Sequence, residues 1–160
     1  AIDWQQKEAF DLADQARLQA FEGLTESACT VHLTNESFEL AWLVDMDSRI
    51  GAVMELMYCG RYFWLPIEQV QYIKFSPIVD VRDLIWRPVD ILIKGDQEPM
   101  YAFMPGRYPN SYLTDGDEKL CKKTSWVNMG DTGVCGLGQR MWMGDDHDFS
   151  INDCTQLIFK

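Results

Sequence analysis

The spacing of apolar residues changes once along the chain, from a helical repeat to an alternating one. Apolar positions recur with helical period over residues 4–22, and Gly23 is suited to the position that follows a helix. Asp3 and Gln6 resemble a capping box at its start. Four alanines share one face: Ala9, Ala13, Ala16 and Ala20. The pattern predicts an N-terminal α-helix whose small-residue face packs either on the body of this chain or on a helix absent from it.

After Gly23 the apolar residues alternate. Phe38, Leu40, Trp42 and Val44 would point one way, and the same alternation returns after a turn over residues 45–51. Further strands are predicted at residues 54–58, 62–65, 72–75, 86–93, 100–104, 119–126, 139–143 and 154–159, with short helical turns at 66–70 and 81–84 and a long loop at 105–116. Many short strands favour an antiparallel barrel or sandwich. We therefore expect a mainly β fold: an antiparallel β-barrel-like domain over residues 29–160, preceded by a connecting helix within residues 1–28.

Composition narrows the range of partners. The chain has 160 residues, enough for one domain with a real core, and a formal net charge of −11. Such a charge repels a phosphate backbone, so nucleic acid is not expected as a partner. No run approaches the ~18 apolar residues of a membrane span, so no membrane partner is expected either. Five widely spaced cysteines without a Cys-x-x-Cys pair predict reduced, mostly buried thiols in a cytosolic protein.

Catalytic and metal-binding patterns are weak. The two histidines, His32 and His147, have no nucleophile motif to support them. Acidic clusters at residues 45–47, 115–118 and 145–148 lack the spacing of a calcium loop and are expected to be turns whose side chains bond their own backbone. The glycine-rich run at 130–138 lacks the ending of a phosphate loop and is better explained by strands that turn sharply. We predict no catalytic residue, metal or cofactor.

Arginine recurs beside aromatic residues and at turns, and this combination has two explanations. Such arginines either brace loops by ion pairs with Asp45, Asp47 and Asp83, which we favour, or form a recognition surface, because Arg, Tyr and Trp dominate binding hot spots. The candidate contact residues are Arg82, Trp86, Arg107, Tyr108 and Arg140.

Five segments, in order, resemble the ImpE/TagJ (SciE) family of accessory proteins of the bacterial type VI secretion system. They read FELAWLVDMDSRIGAVMELMYCGRYFWLP from Phe38, VRDLIWRP from Val81, PGRYPNS from Pro105, TSW from Thr124 and GLGQR from Gly136. Ala52 and Asn110 depart from the residues expected there. The resemblance implies a helical region similar to tetratricopeptide repeats followed by a β-barrel-like domain, of which this chain would be the second part with its connecting helix. It also implies a cytoplasmic protein that binds the small sheath subunit and assists its handling by a ClpV-type ATPase, and it brings no catalytic residues.

Three hypotheses of different classes follow. The leading one is a non-enzymatic adaptor whose barrel binds a protein, for which a helix of the sheath subunit is a reasonable ligand. The second is a small-ligand or hydrolytic site in the mouth of the barrel, which predicts a concave pocket where arginines and carboxylates converge. The third is a structural module that holds the helical region in a dimer. The oligomeric state itself is left open by the sequence.

Overall fold

The structure, a computed structural model, describes residues 27–129 and 133–160, together with six single positions among the first 26 residues. The predicted N-terminal helix and the boundary between residues 28 and 29 fall on or beside residues that are not described. Both therefore stay predictions. Within the described ranges, no helix is long and apolar enough to cross a bilayer.

Strands dominate the described part of the chain. In chain order they are β1 (Cys29–Leu33), β2 (Ser37–Leu40), β3 (Val44–Asp45), β4 (Val53–Tyr58), β5 (Arg61–Pro66), β6 (Val70–Phe75), β7 (Trp86–Ile93), β8 (Met100–Pro105), β9 (Thr124–Met129), β10 (Gly133–Gly138), β11 (Met141–Gly144), β12 (His147–Ser150) and β13 (Cys154–Phe159). A short α-helix, α1 (Val81–Ile85), precedes β7. Three 3-10 turns lie at Ile67–Gln69, Ser111–Leu113 and Ile151–Asp153. The mainly β prediction is confirmed.

The strands form open antiparallel sheets, so the expectation of a barrel-like closure is wrong for the described residues. The largest sheet has eight strands in the order β2-β1-β13-β6-β7-β8-β4-β5. Its two outermost strands pair with one neighbour each, β2 with β1 and β5 with β4, so the ladder does not return to its start. A three-stranded sheet, β12-β11-β3, and the hairpin of β9 and β10 complete the fold. Strand number and spacing alone could not distinguish this open arrangement from a closed barrel.

The core lies between the inner face of the large sheet and the three-stranded sheet. Trp142 on β11 is buried and contacts Phe75 of the large sheet, with ring centroids 6.1 Å apart, and Phe149 of β12 at 6.3 Å. Alternate residues of the central strands supply the other side of the core, including Ile73 and Ile91. The period-two pattern of the sequence is thus satisfied by burial of one face.

Two elements differ from the sequence-based prediction. The strand expected from Phe38 onwards is interrupted after Leu40, because the next backbone N–H, of Ala41, donates to Asp145 Oδ2 at 2.7 Å rather than to a neighbouring strand. The glycine-rich run was explained by strands that turn sharply, with no strand predicted inside it, yet its described part is the strand β10, paired along its length with β9. Its glycines serve packing: a Cβ on Gly136 would lie 2.2 Å from the ring of Tyr108.

Candidate functional site

The outer face of the large sheet carries exposed aromatic side chains on neighbouring strands. The register aligns Met57 of β4 with Tyr62 of β5 on one side and with Phe103 of β8 on the other. Phe103 is in turn opposite Pro88 of β7. Because directly opposed residues project to the same side of a sheet, these side chains share one face. The same register adds three further aromatic residues to it: Trp64, Trp86 and Tyr101.

These rings are accessible to solvent, unlike those of the core. Tyr101 is 55% exposed, Tyr62 52% and Trp86 41%. We refer to the residues Tyr62, Trp64, Trp86, Tyr101 and Phe103 as the aromatic face. A contiguous apolar surface of this kind is typical of an interaction site.

A groove lies on this face between α1 and strands β4, β7 and β8. Its volume is about 510 Å³, and its lining is Met57, Arg82, Asp83, Trp86, Pro88, Tyr101 and Phe103. Two apolar residues at the start of α1, Val79 and Val81, are largely exposed as well. The groove therefore has aromatic walls and a polar rim at α1.

The rim is held in place by the capping of α1. Asp80 Oδ1 accepts the backbone N–H of Arg82 at 2.8 Å, and Asp83 Oδ2 accepts those of Val79 at 2.9 Å and Asp80 at 3.0 Å. These backbone hydrogen bonds favour the charged carboxylates and lower the pKa of both Asp80 and Asp83. The Arg82 Nε lies 3.2 Å from Asp80 Oδ1, and this ion pair is exposed. The rim thus presents two carboxylates and one guanidinium.

A buried ionic cluster lies elsewhere in the molecule, between β3, β4 and the start of β11. Arg140 is its central cation: Nη1 is 3.3 Å from Asp45 Oδ2, and Nη2 donates to Glu55. Tyr108 donates its hydroxyl to Asp45 Oδ1 at 2.9 Å, and the Arg140 guanidinium lies 5.4 Å from the centre of the Tyr108 ring. All four residues are buried. Their hydrogen bonds join segments that are distant in sequence.

A second pair extends the cluster. Arg49 Nε donates to Asp47 Oδ1 at 2.8 Å, and Gly136 N–H donates to Asp47 Oδ2 at 2.9 Å. With this pair included, the cluster contains three carboxylates and two guanidinium groups. Burial of the Asp45 carboxyl raises its pKa to about 7, and the nearby Asp47 carboxylate acts in the same direction to a smaller extent, although Arg140 acts in the opposite direction.

Hydrogen bonds connect the cluster to the aromatic face. Trp64 Nε1 donates to the Tyr62 hydroxyl at 2.6 Å, and that hydroxyl donates to Glu55, the carboxylate that Arg140 also binds. Partial burial and the bond to Glu55 raise the pKa of Tyr62 to about 12, so its hydroxyl stays protonated and donates at neutral pH. One end of the aromatic face is therefore fixed by the interior of the protein.

The structure separates the five contact residues expected from the sequence. Arg82 and Trp86 lie together in the groove. Arg107 is half-buried and donates from Nη1 to the carbonyl of Lys119 at 2.7 Å, which braces the loop after β8. Tyr108 and Arg140 are each only 1% exposed and belong to the ionic cluster, so they have no surface to offer a partner.

The bracing interpretation of the arginines is confirmed for two of the three named carboxylates. Asp45 binds Arg140 and Asp47 binds Arg49, whereas Asp83 caps α1 and forms no ion pair with an arginine among the described residues. None of the residues of the ionic cluster lines the groove, so at this groove arginines and carboxylates of the cluster do not converge. Within the described ranges no group of three or more His, Cys, Asp or Glu side chains is arranged to hold a metal ion.

Sequence reasoning missed most of the groove. Tyr101, Phe103, Met57 and Pro88 were assigned to strands without a role, and Asp83 only to bracing. One signal was available: β8 reads Met-Tyr-Ala-Phe-Met-Pro, with large apolar residues at both alternating sets of positions. If only one face of the sheet is covered by the core, one of these two sets of large apolar residues must be exposed to solvent.

The comparisons with known proteins agree with this architecture. The sequence model of the family described as "ImpE protein" matches residues 37–158. A curated relative from Pseudomonas aeruginosa, "Type VI secretion system accessory component TagJ", is 33% identical over 122 residues, which are 75% of this chain and 41% of that protein. The chain thus spans about two fifths of the length of this relative.

A solved structure gives independent support for the fold. The crystal structure of protein VPA1032 from Vibrio parahaemolyticus superposes with a TM-score of 0.86 and 24% sequence identity, over 98% of this chain and 57% of that one. At this identity the likeness concerns the fold alone. The family match covers most of the chain and the curated relative is similar over the same region, so the chain belongs to the ImpE family.

Proposed function

We propose that this chain is part of a non-enzymatic accessory protein of the bacterial type VI secretion system, acting in the cytoplasm. In this role it binds the small sheath subunit and assists handling of the sheath by the ClpV-type ATPase. The family membership and the name of the Pseudomonas aeruginosa relative support the secretion-system role. The observation that supports binding is the aromatic face with its groove.

The composition of the groove suits recognition of a protein. Trp and Tyr are enriched among residues that contribute most to binding energy, and Trp86 and Tyr101 stand on adjacent strands at this groove. A helix can lay an apolar face along such a surface, which makes a helix of the sheath subunit the expected ligand. The rigid sheet beneath the rings reduces the entropy lost on binding.

The reaction chemistry of an enzyme has little support in the described residues. Asp45 and Tyr108, whose pKa values are strongly raised, are buried and bonded to other protein groups, and the other groups with strongly raised pKa include Cys29, Tyr62 and Cys154. None of these groups lines the groove, and the groove is the place where a substrate would bind. Binding without catalysis is therefore the function that we infer for the groove.

Titration calorimetry of the chain with purified sheath subunit tests this proposal. Trp86→Ala and Tyr101→Ala are each expected to weaken binding by about thirtyfold, the effect of losing about 2 kcal/mol at a hot spot. Tyr112→Ala and Leu113→Ala are the matched controls, because both residues are exposed and apolar but do not line the groove. Unchanged affinity in both groove variants, or an equal loss in the controls, would contradict the proposal.

A further inference from the structure

Three aromatic rings and a carboxylate surround the same groove. The rings of Tyr101 and Phe103 are in edge contact, with centroids 5.4 Å apart and planes at 76°. Trp86 is on the adjacent strand, and Asp83 of α1 lines the same groove. Rings at steep angles to each other, with a negative group nearby, form the kind of site in which proteins bind organic cations.

The charges at the rim favour a positive ligand. Arg82 is paired with Asp80, so its charge is already compensated. The two backbone hydrogen bonds of Asp83 reach the same oxygen, Oδ2. The pKa of Asp83 is lowered by these bonds, so the group stays ionised at neutral pH. With a net charge of −11 over the whole chain, approach of a basic partner is favoured at long range as well.

We propose that the groove binds a basic side chain of a protein partner, a lysine or arginine flanked by apolar residues. The cationic head lies beside Asp83 and against the ring of Trp86, and the aliphatic stem packs on Met57 and Phe103. This inference rests on the proposed function in one respect: it takes the groove as a partner-binding site and specifies what the partner presents there.

The alternative occupants fit less well. An acidic side chain would meet the carboxylates of Asp80 and Asp83 at the rim with only one guanidinium to offset them. A wholly apolar segment would take the ionised Asp83 carboxylate out of water without supplying a counter-charge, which is unfavourable. A long basic side chain satisfies both parts of the lining, because its stem is apolar and its head is charged.

Three amphipathic peptides of identical sequence, except for a central lysine, norleucine or glutamate, test the inference on the unchanged chain. Norleucine keeps the aliphatic stem and removes the charge. The lysine peptide is expected to bind at least fivefold more tightly than the norleucine peptide, with the glutamate peptide weakest. Raising NaCl from 50 to 500 mM should weaken only the lysine peptide. Norleucine binding as tight as lysine, or no detectable binding of any peptide, would overturn the inference.

Variants of the chain locate the effect. Asp83→Asn is expected to reduce the affinity for the lysine peptide to that for the norleucine peptide, whereas Asp96→Asn, in the turn between β7 and β8, should leave both unchanged. If Asp83→Asn destabilises α1, the comparison of the three peptides on the unchanged chain still tests the inference. A preference for the lysine peptide without binding of the sheath subunit would refute the proposed function and support this inference. Binding of the sheath subunit without a preference for the lysine peptide would support the proposed function and refute this inference.

Discussion

Arg140 and Asp45 form an ion pair inside the protein, with Arg140 Nη1 3.3 Å from Asp45 Oδ2 and both side chains buried. The pair joins the residue before β11 to the end of β3. Arg140 also binds Glu55 of β4, and through it reaches Tyr62 on the aromatic face. The interior and the exposed rings are thus parts of one hydrogen-bonded network.

Replacing the central cation should be strongly destabilising. Arg140→Met keeps an apolar stem but leaves Asp45 and Glu55 buried without their cation, and removal of one partner from a buried pair costs about 3–5 kcal/mol. We expect a loss in the free energy of unfolding of this order, measured by urea titration at pH 7.5. The same substitution at the exposed Arg82 is the control and should change stability little. Equal effects at the two positions would show that the cluster is not a structural brace.

The ionic cluster should make stability depend on pH. The pKa of Asp45 is raised by burial to about 7, above the unfolded value near 4. Between these values the folded chain binds more protons than the unfolded chain, so the contribution of Asp45 is fully present below about pH 4 and is lost as pH rises through about 7. Protonation leaves two carboxylates facing two guanidinium groups, which balances the cluster.

Urea unfolding of the wild-type chain and of Asp45→Asn at pH 4, 5, 6 and 7 measures this contribution. The difference in unfolding free energy, wild type minus variant, is expected to fall steadily across this range. Other titrating groups are shared by both proteins and cancel to first order. A difference that rises with pH would mean that Asp45 is stabilised in its ionised form.

The contact between Gly136 and Tyr108 gives a steric prediction. A Cβ at position 136 would lie 2.2 Å from the Tyr108 ring, so Gly136→Ala must displace a buried ring. We expect a loss of about 1–3 kcal/mol, the usual cost of overpacking. Combining it with Tyr108→Leu, which removes the ring, should give a smaller loss than the sum of the single variants. Strict additivity in thermal or urea unfolding would exclude this contact as the cause.

The five cysteines should differ sharply in reactivity. All are free, and only Cys59 is exposed; Cys29, Cys121 and Cys154 are buried. Burial raises the pKa of Cys29 to about 12 and also raises the pKa of Cys154 and of half-buried Cys135, which disfavours their thiolates. An aromatic disulfide reagent at pH 8 should therefore titrate one thiol rapidly in the native chain, and none rapidly in Cys59→Ser. A second rapid thiol in the native protein would contradict the described packing.

Local structure was largely predictable from the sequence. The hairpin of β7 and β8, the turn at Ile67–Gln69 and the final strand β13 were all expected, because each depends on residues adjacent in the chain. The open edges of the large sheet were not. Whether β2 and β5 meet is decided by the twist of the sheet and by contacts between residues distant in sequence, such as Phe38 of β2 with Phe149 of β12, which no local pattern records.

The site was predictable only in part, for a related reason. Arg82 and Trp86 were identified by residue type, and they do line the groove. The same reasoning selected Tyr108 and Arg140, which are buried, because hot-spot residues and buried bracing residues have the same composition. The exposure of a side chain depends on which elements pack on it. It therefore distinguishes hot-spot residues from buried bracing residues only once the fold is known.

Site-specific photo-crosslinking to the sheath subunit asks whether the aromatic face is the surface that binds the partner. A benzoylphenylalanine replacing Tyr101 is expected to form a crosslink with purified sheath subunit, and the same group replacing Tyr112, which is equally exposed, is not. Crosslinking from position 112 with none from position 101 would contradict the account.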